Sequence, residues 1–338
     1  MKRYLAMLLA LLMLFAAGCQ RQSVAESTAA PTAAPETTAA PTTQPTTEPT
    51  TVPTTVPTTV PETVPVMVQA DIHSITALYG FVYDLTNETL LYTHGDQQAE
   101  RTPASITKLL TICTALEYLD PATEITAGVE TAWIDPLSSV AGVKQGCRLT
   151  VEQLVQGMMM QSGNDAAYAL AVAAGKSIAG GEEFTEEEYL QVFMQYMNRR
   201  AYEQGLENTF FVTPDGTTAQ GHHTTPADLL RMAKLALANP LIRKYALCLQ
   251  ETVHFASGEE YLWVNTNWML HPESEFYCPD ARGLKTGYTS AAGNCMMALF
   301  DDDGRELLIC VLGCPTTLDR FRDILYLYDL YQNKPAGE

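Results

Sequence analysis

The chain has 338 residues, 46% of them hydrophobic and 17% charged, with a formal net charge of −19. That balance argues against nucleic acid as a partner and against polybasic adhesion to anionic lipid, while leaving the charge of any substrate open, since one lysine can dominate a pocket.

Lys2 and Arg3 precede an apolar stretch, residues 5–15, that is short for a membrane span. Ala16-Ala17-Gly18 then lead to Cys19, which resembles a bacterial lipoprotein processing site with Cys19 as the lipidated residue. Ala16 stands where a larger aliphatic residue is usual, and the alternative is a plain secretory signal or an uncleaved anchor. Residues 1–19 are thus expected to be a signal. Residues 20–70 are expected to be a disordered linker, because near-repeats such as Thr51-Val52-Pro53-Thr54-Thr55-Val56-Pro57 cannot bury a core. In polyproline geometry some forty such residues reach on the order of 120 Å, which suits a tether from a membrane into a cell wall. Residues 71–333 then make one large domain, or a domain with a subdomain.

Residues 77–85 and 89–93 read as a β-hairpin around Thr86-Asn87-Glu88. After Pro103, residues 105–116 read as a buried helix with Ser105 near its N-terminus. Thr150 with Gln153 signals a helix start, and another helix is expected over residues 166–174. Thr185-Glu186-Glu187-Glu188 opens a longer helix that Gly205 ends, and Thr225-Pro226 begins one more. Beyond Thr252, strands are expected around Val253, Leu262, Leu284, Met296 and Leu308, with a last helix over residues 317–331. Hairpin first, helices in the middle and antiparallel strands last imply an α+β fold whose two ends share one sheet.

Cys19 aside, seven cysteines remain, so in an exported chain at least one is unpaired. Their spacings do not suggest a zinc site. A four-residue loop at residues 301–304 would set Cys295 opposite Cys310 as a candidate disulfide, whereas a two-residue Asp303-Gly304 turn would separate them.

Three motifs carry chemistry: Ser105-Ile106-Thr107-Lys108, Ser162-Gly163-Asn164 and Lys285-Thr286-Gly287. Residues three apart share a helix face, so Lys108 can reach the Ser105 oxygen and take its proton once its amine is neutral. Burial and the nearby cation of Lys285 would favour that neutral form. Ser162 can relay a proton to a leaving amine, and Asn164 can hold substrate or Lys108. Lys285, Thr286 and Thr289 can bind a carboxylate, while Gly287 admits close backbone approach. The backbone N–H groups of Ser105 and Tyr288 are candidates for an oxyanion hole. No His-Glu-x-x-His motif and no Gly-rich phosphate loop occurs, and His222 and His223 read as loop residues.

Together with Arg101-Thr102-Pro103-Ala104, Ser139-Val140-Ala141-Gly142-Val143-Lys144, Pro214-Asp215-Gly216 and Asn265-Thr266-Asn267, these motifs resemble the D-alanyl-D-alanine carboxypeptidases, the low-molecular-mass penicillin-binding proteins. The resemblance covers nearly the whole domain. It implies a β-lactamase/transpeptidase-like fold, an antiparallel sheet flanked by helices with a helical subdomain. It also implies Ser105 as nucleophile, Lys108 as base and Ser162 in proton relay. Asn164, Lys285, Thr286, Gly287 and Thr289 would contact substrate. The implied partners are peptidoglycan stem peptides and β-lactam antibiotics, with no metal or cofactor, outside the cytoplasmic membrane. Some members add a C-terminal domain and anchor helix, so anchoring here is expected from the N-terminus. Others place an arginine just after the last core strand, where this chain has Gly313-Cys314-Pro315 and carries Arg320 and Arg322 later. A β-lactamase, a DD-endopeptidase and a penicillin sensor that does not turn over are the competing readings.

Overall fold

The computed structural model describes residues 75–332. Strands β1 (Tyr79–Asp84) and β2 (Thr89–His94) form the expected hairpin. Its turn is tied by the Asp84 carboxylate, which accepts hydrogen bonds from the Asn87 backbone and side-chain amides, both at 2.8 Å. The segment that carries Ser105 and Lys108 divides. Ala104–Thr107 is a 3-10 turn, and helix α1 follows over Lys108–Ala115. Every residue of α1 is buried, as an apolar run through the middle of a domain requires.

The helical region continues with a small ribbon, β3 (Glu124–Thr126) against β4 (Arg148–Thr150). Helix α2 (Val151–Met160) begins with the expected box. Thr150 Oγ1 accepts the Gln153 N–H at 3.2 Å, and Gln153 Oε1 accepts the Thr150 N–H at 2.9 Å. Then come α3 (Asn164–Ala179), α4 (Glu186–Glu203, capped the same way by Thr185 and Glu188), α5 (Pro226–Leu237) and α6 (Pro240–Leu247). Both α5 and α6 start with a side-chain cap followed by proline, whose missing N–H costs nothing at that position. Strands β5 (Gln250–His254) and β6 (Glu260–Val264) make a ribbon separate from the main sheet. Strands β7 (Ala281–Thr289), β8 (Gly293–Asp302) and β9 (Arg305–Cys314) and helix α7 (Thr317–Tyr331) complete the domain.

The main sheet is antiparallel, in the order β2-β1-β9-β8-β7. The two ends of the domain meet in it, with Tyr79 opposite Leu312 and Asp84 opposite Leu307. Alternation along β8 and β9 feeds two cores. Cys295, Met297, Leu299, Leu308 and Cys310 face the helical region, and Met296, Ala298, Phe300, Leu307 and Ile309 face α7. Burying each large apolar side chain contributes about 1.5–3 kcal/mol, so both faces of the sheet are covered.

The β8–β9 turn decides the cysteine question. Asp302 pairs with Arg305, leaving Asp303 and Gly304 as a two-residue turn with φ of 50° and 89°, the left-handed pair that a tight hairpin needs. Met297, not Cys295, therefore faces Cys310. All seven cysteines of the described residues are free, and six of them are buried. Residues 1–74, which hold the expected signal, Cys19 and the linker, lie outside the described residues.

Candidate active site

Helix α1 positions the first pair. Ser105 sits in the 3-10 turn and borders a groove between the helical region and the edge strand β7, and Lys108, the first residue of the helix, lies buried behind it. Lys108 is fully buried, and its Nζ donates to three acceptors: Ser105 Oγ at 2.8 Å, Asn164 Oδ1 at 2.7 Å and the Asp215 carbonyl at 2.7 Å. Burial draws the Lys108 amine down to about 8, against the opposing pull of the Asp215 and Asp165 carboxylates. Loss of solvation is thus the leading cause at Lys108.

The turn carrying Ser105 is held from behind. Ala104 has φ of 50°, and Gly216 packs so closely that a Cβ there would lie 2.0 Å from the Ala104 carbonyl oxygen. His222 braces the same turn. Its Nδ1 accepts the Val212 N–H at 3.2 Å, so Nε2 carries the proton and donates to Thr107 Oγ1 at 3.1 Å. Burial pushes His222 down to about 4. It is a neutral strut rather than a base, in line with its reading as a loop residue.

Ser162 sits just before α3 with φ of 57°, and Lys285 Nζ on β7 donates to its Oγ at 2.9 Å. Lys285 is also buried. Burial first, then the charges of Lys108 and Arg320, hold its amine well below the usual lysine range. Asp165, next along α3, pins the opposite wall by accepting backbone N–H groups of Ala141, Gly142 and Val143, each at 2.8 Å. Thr286 Oγ1 pairs with Thr266 Oγ1 at 2.9 Å, and Thr289 Oγ1 accepts from Thr218 at 2.9 Å. Gly287 lies flush against the turn of Ser105, where a Cβ would sit 3.0 Å from the Ser105 nitrogen. A side chain there would push the turn back by a few tenths of an ångström, so glycine keeps β7 this near.

The groove these residues line has a volume of about 540 Å³. Ser105, Ser162, Asn164, Thr286, Gly287, Tyr288 and Thr289 all border it. Arg320 joins them, although it belongs to none of the three motifs. It lies in the first turn of α7, is buried, and donates to the Gly287 carbonyl at 3.3 Å, while its Nε has no hydrogen-bond partner among the described residues. The groove thus has an arginine on its border, supplied by the helix rather than by the residues directly after the last strand. Arg322, two residues on, points outward to Asp319. The signal was present in the sequence. Arg320 belongs to the inward stripe Phe321, Ile324, Leu327, Tyr328 and Tyr331, and a cation on an apolar face asks for a purpose.

Residues 65–316 match the family model described as D-alanyl-D-alanine carboxypeptidase. The chain belongs to this family. It is 30% identical over 231 residues to D-alanyl-D-alanine carboxypeptidase DacF of Bacillus subtilis, covering 67% of this chain and 55% of that protein. Against DacD of Escherichia coli it is 31% identical over 252 residues, or 70% of this chain and 58% of the relative. The chain therefore spans a little over half the length of these carboxypeptidase relatives. Among solved structures, the Streptomyces K15 DD-transpeptidase superposes with a TM-score of 0.68 at 28% identity, covering 76% of this chain and 97% of that one. The fold is that of the penicillin-binding DD-peptidases, as the resemblance implied. Among the described residues no helix is long and apolar enough to cross a membrane.

Proposed function

We propose that the chain is a serine-type D-alanyl-D-alanine carboxypeptidase that removes the terminal D-Ala from peptidoglycan stem peptides. The observation that carries this reading is the buried Lys108 amine 2.8 Å from Ser105 Oγ, held near the proton affinity a base needs. Neutral Lys108 takes the Ser105 proton as the oxygen attacks the carbonyl between the two D-alanines. Asn164 and the Asp215 carbonyl keep the amine aimed. The Ser105 and Tyr288 N–H groups receive the developing oxyanion. Ser162, bonded to Lys285, passes a proton to the departing D-Ala amine. Lys285, Thr286, Thr289 and Arg320 hold the substrate carboxylate, and Gly287 lets the substrate backbone lie against β7. Water then hydrolyses the acyl-enzyme, and β-lactams acylate the same serine.

The domain would work outside the cytoplasmic membrane, anchored through Cys19 and spaced by residues 20–70. Recovery of a Cys19→Ser variant in the membrane fraction would remove the lipid anchor from this account. The activity is tested by following D-Ala release from diacetyl-Lys-D-Ala-D-Ala. Steady release that penicillin blocks, and that Ser105→Ala abolishes, is expected. Penicillin labelling of Ser105 without release would favour a sensor or an endopeptidase instead.

A further inference from the structure

Arg320 borders the groove, yet polar groups hold it loosely. Its guanidinium reaches the Gly287 carbonyl at 3.3 Å, long for a charged donor, and its Nε has no hydrogen-bond partner among the described residues. An arginine side chain is rich in rotamers, so something else must fix it before an anion arrives. Aromatic rings supply that support. The Phe321 ring centre lies 5.0 Å from the Arg320 guanidinium carbon, within reach of a cation–π contact. Phe321 is itself fully buried. It stacks on Trp268, with ring centres 5.3 Å apart and planes 11° from parallel, and on Phe276, also at 5.3 Å. Trp268 is 40% exposed and borders a second cavity of about 300 Å³ with His271 and Phe276, not the groove of Ser105. The segment that carries it is well fixed. The Asn267 N–H donates to Asn265 Oδ1 at 3.0 Å, Asn267 Oδ1 accepts the Met269 N–H at 3.1 Å, and His271 Nε2 donates to the Asn265 carbonyl at 2.8 Å. Two residues before Trp268, Thr266 pairs with Thr286. One short segment thus reaches Thr286 directly and Arg320 through Phe321.

We propose that Trp268 is a positioning residue that fixes the Arg320 guanidinium, through Phe321, for the carboxylate end of the substrate. The inference rests on the carboxypeptidase reading and adds to it a residue that lies outside the groove. The turn at Trp268 does not itself require an aromatic side chain, because its hydrogen bonds are made by Asn265, Asn267 and backbone groups. Without the indole, the Phe321 ring loses one of the two rings stacked on it, and Arg320 loses a fixed surface to lie against. The guanidinium must then be ordered at the moment of binding. That weakens the carboxylate contact in the ground state and the transition state alike, which raises KM and leaves kcat in place.

The test uses the full-length protein and two peptides, diacetyl-Lys-D-Ala-D-Ala and the same peptide amidated at its terminus. Trp268→Leu keeps apolar bulk without a flat face. It should lower kcat/KM on the free carboxylate about threefold to tenfold, through KM, and leave the amide nearly unchanged. Trp268→Phe restores a ring and should recover most of the loss. In an Arg320→Ala background, adding Trp268→Leu should change little further, since residues that act as one unit are not additive. Melting curves establish that each variant is folded. Unchanged kcat/KM in Trp268→Leu, equal losses on the two peptides, or the same loss with and without Arg320 overturns the inference while leaving the carboxypeptidase reading intact. Release from neither peptide by the unaltered protein, with Ser105 still labelled by penicillin, overturns that reading and this inference together.

Discussion

Lys108 has no spare donor: its three hydrogen bonds use all the protons of an ammonium. To act as a base it must give one up, and burial lowers that cost by holding the amine near 8. The sign of the pH dependence follows. Below 8 the neutral fraction rises about tenfold per pH unit and above 8 it levels off, so penicillin acylation of Ser105 should climb from pH 6 and flatten near pH 9. Stopped-flow labelling measures this, and a flat profile would remove Lys108 as the base. Arg320 makes a second prediction. Arg320→Ala should lower kcat/KM on peptides with a free terminal carboxylate by roughly tenfold to a hundredfold, and should narrow the preference over the same peptides amidated at the terminus. Ser105, Lys108, Ser162 and Lys285 could be singled out from the sequence because each sits in a short motif whose spacing is local. Arg320 could be read from its stripe as inward-facing, but its place beside Gly287 depends on how α7 packs on β8 and β9.

At the scale of elements, caps and turns were the most legible features. Thr150, Thr185 and Thr225 each start the helix expected of them, since a cap is satisfied within four residues. The Asp303-Gly304 turn was legible too, and its two-residue form is what separates Cys295 from Cys310. What sequence spacing could not supply is contact between elements. Helices α3 and α4 touch backbone to backbone at Gly175, where a Cβ would fall 2.0 Å from the Tyr189 carbonyl oxygen. Alanine is worth about 1 kcal/mol more than glycine within an isolated helix, but forcing these helices apart costs about 1–3 kcal/mol. Gly175→Ala should therefore lower Tm by a few degrees, and a raised Tm would show that the contact yields.

For the whole molecule, the sheet and its two cores hold the domain without covalent cross-links. The described cysteines are all free thiols, so adding dithiothreitol should leave Tm unchanged; a drop would reveal a bridge. The architecture could be anticipated because the pattern of hairpin, helices and strands follows chain order, but the strand order β2-β1-β9-β8-β7 rests on pairings that no local window contains. One of those pairings has a consequence for how the protein is made. β1 is complete at residue 84, yet its neighbour β9 begins at residue 305. A chain emerging N-terminus first exposes the β1–β2 hairpin for more than two hundred residues before its sheet can close, and two strands alone are barely stable in water. Closure of so distant a pairing is slow. The turn that carries Ser105 rests on β7, which comes almost as late. The groove around Ser105 is therefore complete only once the last strands of the domain are in place.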